Sequence, residues 1–152
     1  MRIVAASDHG GLSLKKVLVE RLRARGVDVD DLGTHDTASC DYPDYALQVA
    51  ERVRDGGAEF GLLVCGTGQG MAMTANRVAG IRAAVVQDTF TAHATRQHND
   101  ANVLCLGERV VGPGLAGDIL DTFLAASFEG GRHARRLDKI RALDQPRGGG
   151  AA

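Results

Sequence analysis

Five short apolar runs, at residues 3–6, 27–32, 60–64, 81–86 and 101–106, are separated by stretches of helical period. In the first of these stretches Leu14, Val17, Leu18 and Leu22 form an i, i+3, i+4, i+8 stripe, and Gly26 follows where a helix C-cap belongs. Tyr45, Val49 and Val53 mark a second helix, ended by Gly56 and Gly57. Met71 lies in the start of another, and residues 89–98 supply a further helix after the fourth strand. Pro113 suits the first turn of a helix carrying Leu115, Ile119 and Phe123, and a last helix is expected over about 132–143. Strands alternating with helices imply parallel pairing and right-handed crossovers. The pattern therefore predicts an α/β fold, a three-layer α/β/α sandwich around a Rossmann-like five-stranded parallel sheet, with a C-terminal helix. Ligands of such sheets bind at the carboxyl ends of the strands.

No composition shift breaks this pattern, so residues 1–144 read as a single domain, and the glycine-rich tail 145–152 is expected to be disordered. Eighteen Lys and Arg against 19 Asp and Glu leave a net charge of -1, which removes any bulk electrostatic case for nucleic acid or an anionic membrane. Aromatics are only 4% and Trp is absent, so the core is aliphatic. No apolar stretch approaches the roughly 18 residues of a membrane span, and a cytoplasmic protein is expected. Cys40, Cys65 and Cys105 are odd in number and lack C-x-x-C spacing, which argues against a disulfide framework and a structural zinc site.

The chemistry concentrates after the third run. Cys65-Gly66-Thr67-Gly68-Gln69-Gly70 joins a strand end to a helix start, where unpaired backbone N–H groups and the helix dipole favour an anion, including an anionic sulfur. A thiolate there can act as base or nucleophile; the alternative is a small hydrophobe ending a core strand. Asp8 and His9 follow the first strand, as an acid and an anion-binding imidazole or as a helix cap beside a surface histidine. Asp30 and Asp31 stand where a ribose-binding acid of a dinucleotide fold would, but the G-x-G-x-x-G fingerprint is missing. His98 is a candidate acid–base in the segment Arg96-Gln-His98-Asn99-Asp100-Ala-Asn102. His93 and His98 are five apart, off a common helix face, so metal catalysis is not expected. Arg132 and Arg136 share a helix face and either clamp a phosphate or form a solvated basic face, while Arg109 follows the fifth strand at the ligand-binding edge.

Taken together, Asp8-His9-Gly-Gly, Asp41-Tyr42-Pro43, Cys65 to Gly70, Asn76-Arg-Val-Ala-Gly-Ile-Arg82-Ala, Arg96 to Asn102 and Glu129-Gly-Gly-Arg-His133 resemble the ribose-5-phosphate isomerase B family in both order and spacing, over residues 2 to about 143. The broader family includes galactose-6-phosphate isomerase subunits. The resemblance implies a metal-free and cofactor-free aldose–ketose isomerase of the pentose phosphate pathway. It would interconvert ribose 5-phosphate and ribulose 5-phosphate through an enediolate. It implies that Cys65 is the base between C2 and C1, that Thr67 assists at the substrate oxygens, and that His98 opens the sugar ring with Asp8 as partner. His9, Arg109, Arg132 and Arg136 match phosphate contacts, Tyr42 and Asn99 match substrate-binding positions, and Gly66, Gly68 and Gly70 would help form the anion hole. It further implies a homodimer or homotetramer with sites shared between subunits. Two other functions compete with this one: isomerisation of a six-carbon sugar phosphate, and a non-enzymatic flavodoxin-like module that binds a phosphate ligand.

Overall fold

The structure is a computed structural model and describes residues 1–144. The tail 145–152, for which disorder is expected, lies outside the described residues. Strands β1 (Arg2–Ser7), β2 (Asp28–Asp31), β3 (Phe60–Cys65), β4 (Ala83–Val85) and β5 (Val103–Gly107) form one parallel sheet in the order β2-β1-β3-β5-β4. The helices are α1 (Leu12–Ala24), α2 (Tyr42–Arg54), α3 (Gln69–Ala75), α4 (Thr89–Asn99), α5 (Pro113–Ala125) and α6 (Arg132–Arg141). Short 3-10 turns occupy His9–Gly11 and Ala142–Asp144, so the expected last helix ends two residues early and tightens. No helix among the described residues is long and apolar enough to cross a membrane.

Successive side chains of a strand point to opposite faces, and the continuous apolar runs feed two cores at once. Ile3, Ala5, Leu62, Val64, Leu104 and Leu106 pack against α1, α4 and α5. Val4, Ala6, Leu63, Cys65, Val103 and Cys105 pack against α2 and α3. The predicted C-cap of α1 is present: Gly26 has φ 77°, with Val27 N–H on Leu22 O at 3.1 Å and Gly26 N–H on Arg23 O at 3.0 Å.

The stripe on α1 differs at one position. Val17 is exposed, and the buried polar partner of the stripe is Lys15 at 0% exposure. Its ammonium donates to Asp31 Oδ1 at 2.5 Å and to Thr34 O at 2.9 Å, so the buried charge is paired. Asp30 in turn pairs with Arg52 at 3.2 Å. Both acids near the end of β2 are thus committed to structural ion pairs, which accounts for them without a ribose.

The chain leaves β1 toward β2 on one side and later places β3 on the other. The switch point of the sheet is therefore the β1/β3 crevice, and Asp8 and Cys65 stand at its carboxyl edge.

Candidate active site

Cys65 is the last residue of β3, 6% exposed, and its Sγ accepts a hydrogen bond from Gly68 N–H at 3.0 Å. That bond requires the turn to fold back on itself, which Gly68 permits with φ 79°. Gln69 N–H reaches Thr67 Oγ1 at 3.4 Å. The amides of Gly70 and Met71 lie in the first turn of α3 and have no intrahelical acceptor. α3 has only seven residues, so its dipole is small and the local N–H groups carry the anion-binding character.

Neighbouring glycines let backbone and side chains close around this turn. A methyl at Gly107 would lie 2.7 Å from the Thr67 backbone, and one at Gly70 would lie 2.6 Å from the Tyr42 ring, which roofs the turn. A methyl at Gly66 would lie 3.5 Å from the Arg109 guanidinium, and one at Gly10 would lie 3.4 Å from Asp8 Oδ1 and 3.7 Å from Arg109 Nη2. Asp8 is buried and accepts Gly10 N–H at 2.9 Å, so it caps the 3-10 turn as well as facing the crevice. His9 is exposed; its Nδ1 accepts Cys40 N–H at 3.3 Å, which leaves Nε2 as the nitrogen available to a ligand. Asp8, His9, Tyr42, Cys65, Gly66, Thr67, Gly68, Gly70 and Arg109 thus gather at one edge of the sheet.

Cys105 shares the core face of Cys65. Complete burial, then the neighbouring Cys65 sulfur, push its thiol well above the ordinary value, so it remains protonated and inert. Cys65, at the strand end, is the thiol that meets the crevice.

The remaining candidates sit elsewhere. A crossover helix runs antiparallel to the strands it connects, so the end of α4, with His98 and Asn99, lies at the edge where β5 begins. That is on the order of 15 Å along the sheet from its carboxyl edge, the length of a five-residue strand. There His98 stacks on His133, with ring centroids 4.4 Å apart and planes at 11°. Arg132 Nε donates to His133 Nε2 at 3.4 Å, Glu129 Oε2 lies 3.7 Å from the same nitrogen, and Glu129 N–H binds Gln97 O at 3.0 Å. Burial first, then the charges at His98, Arg132 and Arg136, push the His133 imidazole below its ordinary value, and Glu129 opposes them.

The ligand atoms of His98, Glu129 and His133 fall within 4.8 Å of one another. The two rings lie almost parallel, however, so their lone pairs do not converge, and a guanidinium occupies Nε2. This is hydrogen-bond geometry rather than a coordination site.

His133 and Glu129 lie within a motif of the chain, yet their part in the site depends on α6 returning against α4, which no local pattern signals. Arg96, Asp100 and Arg82, from two other motifs, prove to be scaffolding. Asp100, at φ 47°, ends α4 and binds Arg96 Nη1 at 2.7 Å and Arg82 Nη2 at 2.9 Å, while Arg96 lies over Phe60 at 4.8 Å. With Arg96 Nη1 also on Ala101 O at 2.8 Å, that clamp ties the last turn of α4, which carries His98 and Asn99, to the chain entering β5.

A family model described as Ribose/Galactose Isomerase matches residues 3–140. Ribose-5-phosphate isomerase B of Escherichia coli is 48% identical over 146 residues, covering 96% of this chain and 98% of that protein. A solved structure of ribose-5-phosphate isomerase B from Clostridium thermocellum superposes with a TM-score of 0.94 at 52% identity, covering 95% of this chain and 97% of that one. The enzyme from Mycoplasma genitalium, solved with bound ribulose 5-phosphate, superposes with a TM-score of 0.91 at 47% identity, covering 95% and 97%. With a matching model over almost its whole described length and relatives of this closeness, the chain belongs to the ribose/galactose isomerase family.

Proposed function

We propose that the protein interconverts D-ribose 5-phosphate and D-ribulose 5-phosphate without a metal or cofactor, with each site assembled from two copies of the chain. The observation that carries the reading is the Cys65 sulfur at the β1/β3 crevice, held by Gly68 N–H at 3.0 Å on the sheet edge that also carries Asp8 and Arg109, in a chain of this family.

The chemistry follows from the groups. In the open-chain aldose the Cys65 thiolate takes the proton from C2, and the electron pair forms the C1–C2 double bond while negative charge develops on O1. The free amides of the turn lie where that oxyanion is stabilised. The sulfur returns the proton to C1, and the O2 proton moves to O1 as the carbonyl re-forms at C2, with the Thr67 hydroxyl placed to relay it. His9 and Arg109 take the phosphate from one chain, and Arg132 and Arg136 of a second copy complete its shell. His98 of that copy, with Asp8 across the cleft, moves the proton that opens the furanose ring, and Tyr42 and Asn99 bound the sugar. The opposite-edge positions of Cys65 and His98 support this division, because one chain cannot bring both to one substrate. A cytoplasmic location fits three unpaired thiols.

The purified protein alone, with excess chelator, should turn over ribose 5-phosphate, and at a higher kcat/KM than six-carbon sugar phosphates. Cys65→Ala should lower kcat by more than about a hundredfold while leaving affinity for a phosphate ligand largely intact. No turnover, dependence on added metal, or normal kcat in Cys65→Ala would each sink the reading.

A further inference from the structure

His133 stands outside the groups assigned to the reaction, yet it is the buried neighbour of two of them. The residue is 6% exposed, and its ring lies face to face on His98. Its Nε2 meets Arg132 Nε at 3.4 Å. A guanidinium Nε always carries a hydrogen and never a lone pair, so His133 Nε2 is the acceptor and the imidazole is neutral, with its proton on Nδ1. Glu129 Oε2 lies 3.7 Å from that same nitrogen, beyond hydrogen-bond reach. An Nε2 that gained a proton would lose its bond from Arg132 and turn donor toward Glu129. The state of one nitrogen therefore decides which of two neighbours it holds.

We propose that neutral His133 is a positioning residue for this site: its ring braces the His98 imidazole, and its Nε2 lone pair fixes the Arg132 side chain in the direction from which it meets the substrate phosphate. The proposal rests on the isomerase reading above. The charged and titratable groups facing His133 are His98 from α4, Arg132 and Arg136 from α6, and Glu129 from the segment before α6. Burial and the cations disfavour the protonated ring, and Glu129 alone favours it. The Arg132-holding form is thus present at neutral pH and is lost on acidification.

Steady-state kinetics of the full-length protein between roughly pH 5.5 and 8 test this. His133→Phe keeps an aromatic ring against His98 and removes the acceptor. At the alkaline end its KM for ribose 5-phosphate should rise roughly five- to tenfold, with kcat within about twofold of the parent. On acidification the wild-type KM should climb toward that of the variant, closing the gap between them. The second ionisation of the substrate phosphate, near about 6, is common to both proteins and cancels in the ratio. Glu129→Gln removes the group that favours the protonated ring, so its acid-side rise in KM should move to lower pH. His133→Asn restores an acceptor without a ring and should show the opposite split, a lowered kcat with KM near the parent; it also serves if the phenylalanine variant does not fold. A KM of His133→Phe equal to the parent at every pH, or an acid limb unmoved in Glu129→Gln, overturns the proposal. A wild type with no turnover would instead sink the isomerase reading, and calorimetric titration with inorganic phosphate would still test His133: equal affinity in wild type and His133→Phe overturns the positioning role.

Discussion

Mixing two inactive variants should regenerate activity if each site is shared between copies. Cys65 and His98 lie at opposite edges of the sheet, on the order of 15 Å apart along the strands, whereas proton transfer needs about 3 Å. Consider Cys65→Ala and His98→Ala, each lowered more than about a hundredfold as a pure protein. In a two-fold dimer of the two, one site receives both substitutions and the other receives an intact Cys65 from one chain and an intact His98 from its mate. Random reassortment of equal amounts makes about half of the dimers mixed, each with one of two sites whole, so about 25% of wild-type activity should return. The assay is ribose 5-phosphate turnover after the variants are unfolded and refolded together, against separately refolded controls mixed on ice. Recovery no greater than the sum of the controls, with reassortment verified by differently tagged chains, would refute the shared site.

Two further results follow from packing. Asp31→Ala would strand the fully buried Lys15 ammonium; removal of one partner of such a pair costs about 3–5 kcal/mol, roughly 10 °C in Tm for a chain of this size. The double variant Lys15→Met with Asp31→Leu should regain most of that, and an unchanged Tm in Asp31→Ala would mean the pair is dispensable. Gly70→Ala places a methyl 2.6 Å from the Tyr42 ring and should cut kcat/KM at least about tenfold with folding preserved. Added Tyr42→Ala should remove the clash without restoring the roof, so near-normal activity in Gly70→Ala would show that the ring does not bound the site.

Much of the architecture was legible because parallel strands buried on both faces read as unbroken apolar runs, and the three inner strands come within two residues of the expected bounds. The edge strand β4 is shorter, Ala83–Val85 against an expected 81–86, because Ile81 turns into the core before the ladder begins. Periodicity placed Leu14, Leu18 and Leu22 correctly and misplaced Val17. A hydrophobic stripe cannot register that Lys15 finds its counterion sixteen residues away. The Cys65 turn, Asp8 and Arg109 were legible from topology, which sends every strand end to one edge. The separation of His98 from them was equally implicit in helix direction. The stack of His98 on His133 was not, because it depends on the path of residues 126–131 and on where α6 docks.

The wall that the turn contributes to the cleft is made mostly of main chain, and at Gly70 and Gly107 even a methyl collides with what lies behind it. Such a surface offers selection almost nothing to vary. The candidate groups on α4 and α6, Asn99, Arg132 and Arg136, are side chains rather than main chain. Within this architecture the proton-transfer apparatus and the apparatus that discriminates among sugars can therefore evolve separately: a lineage can move from one sugar phosphate to another by altering α4 and α6 while the turn after β3 stays as it is.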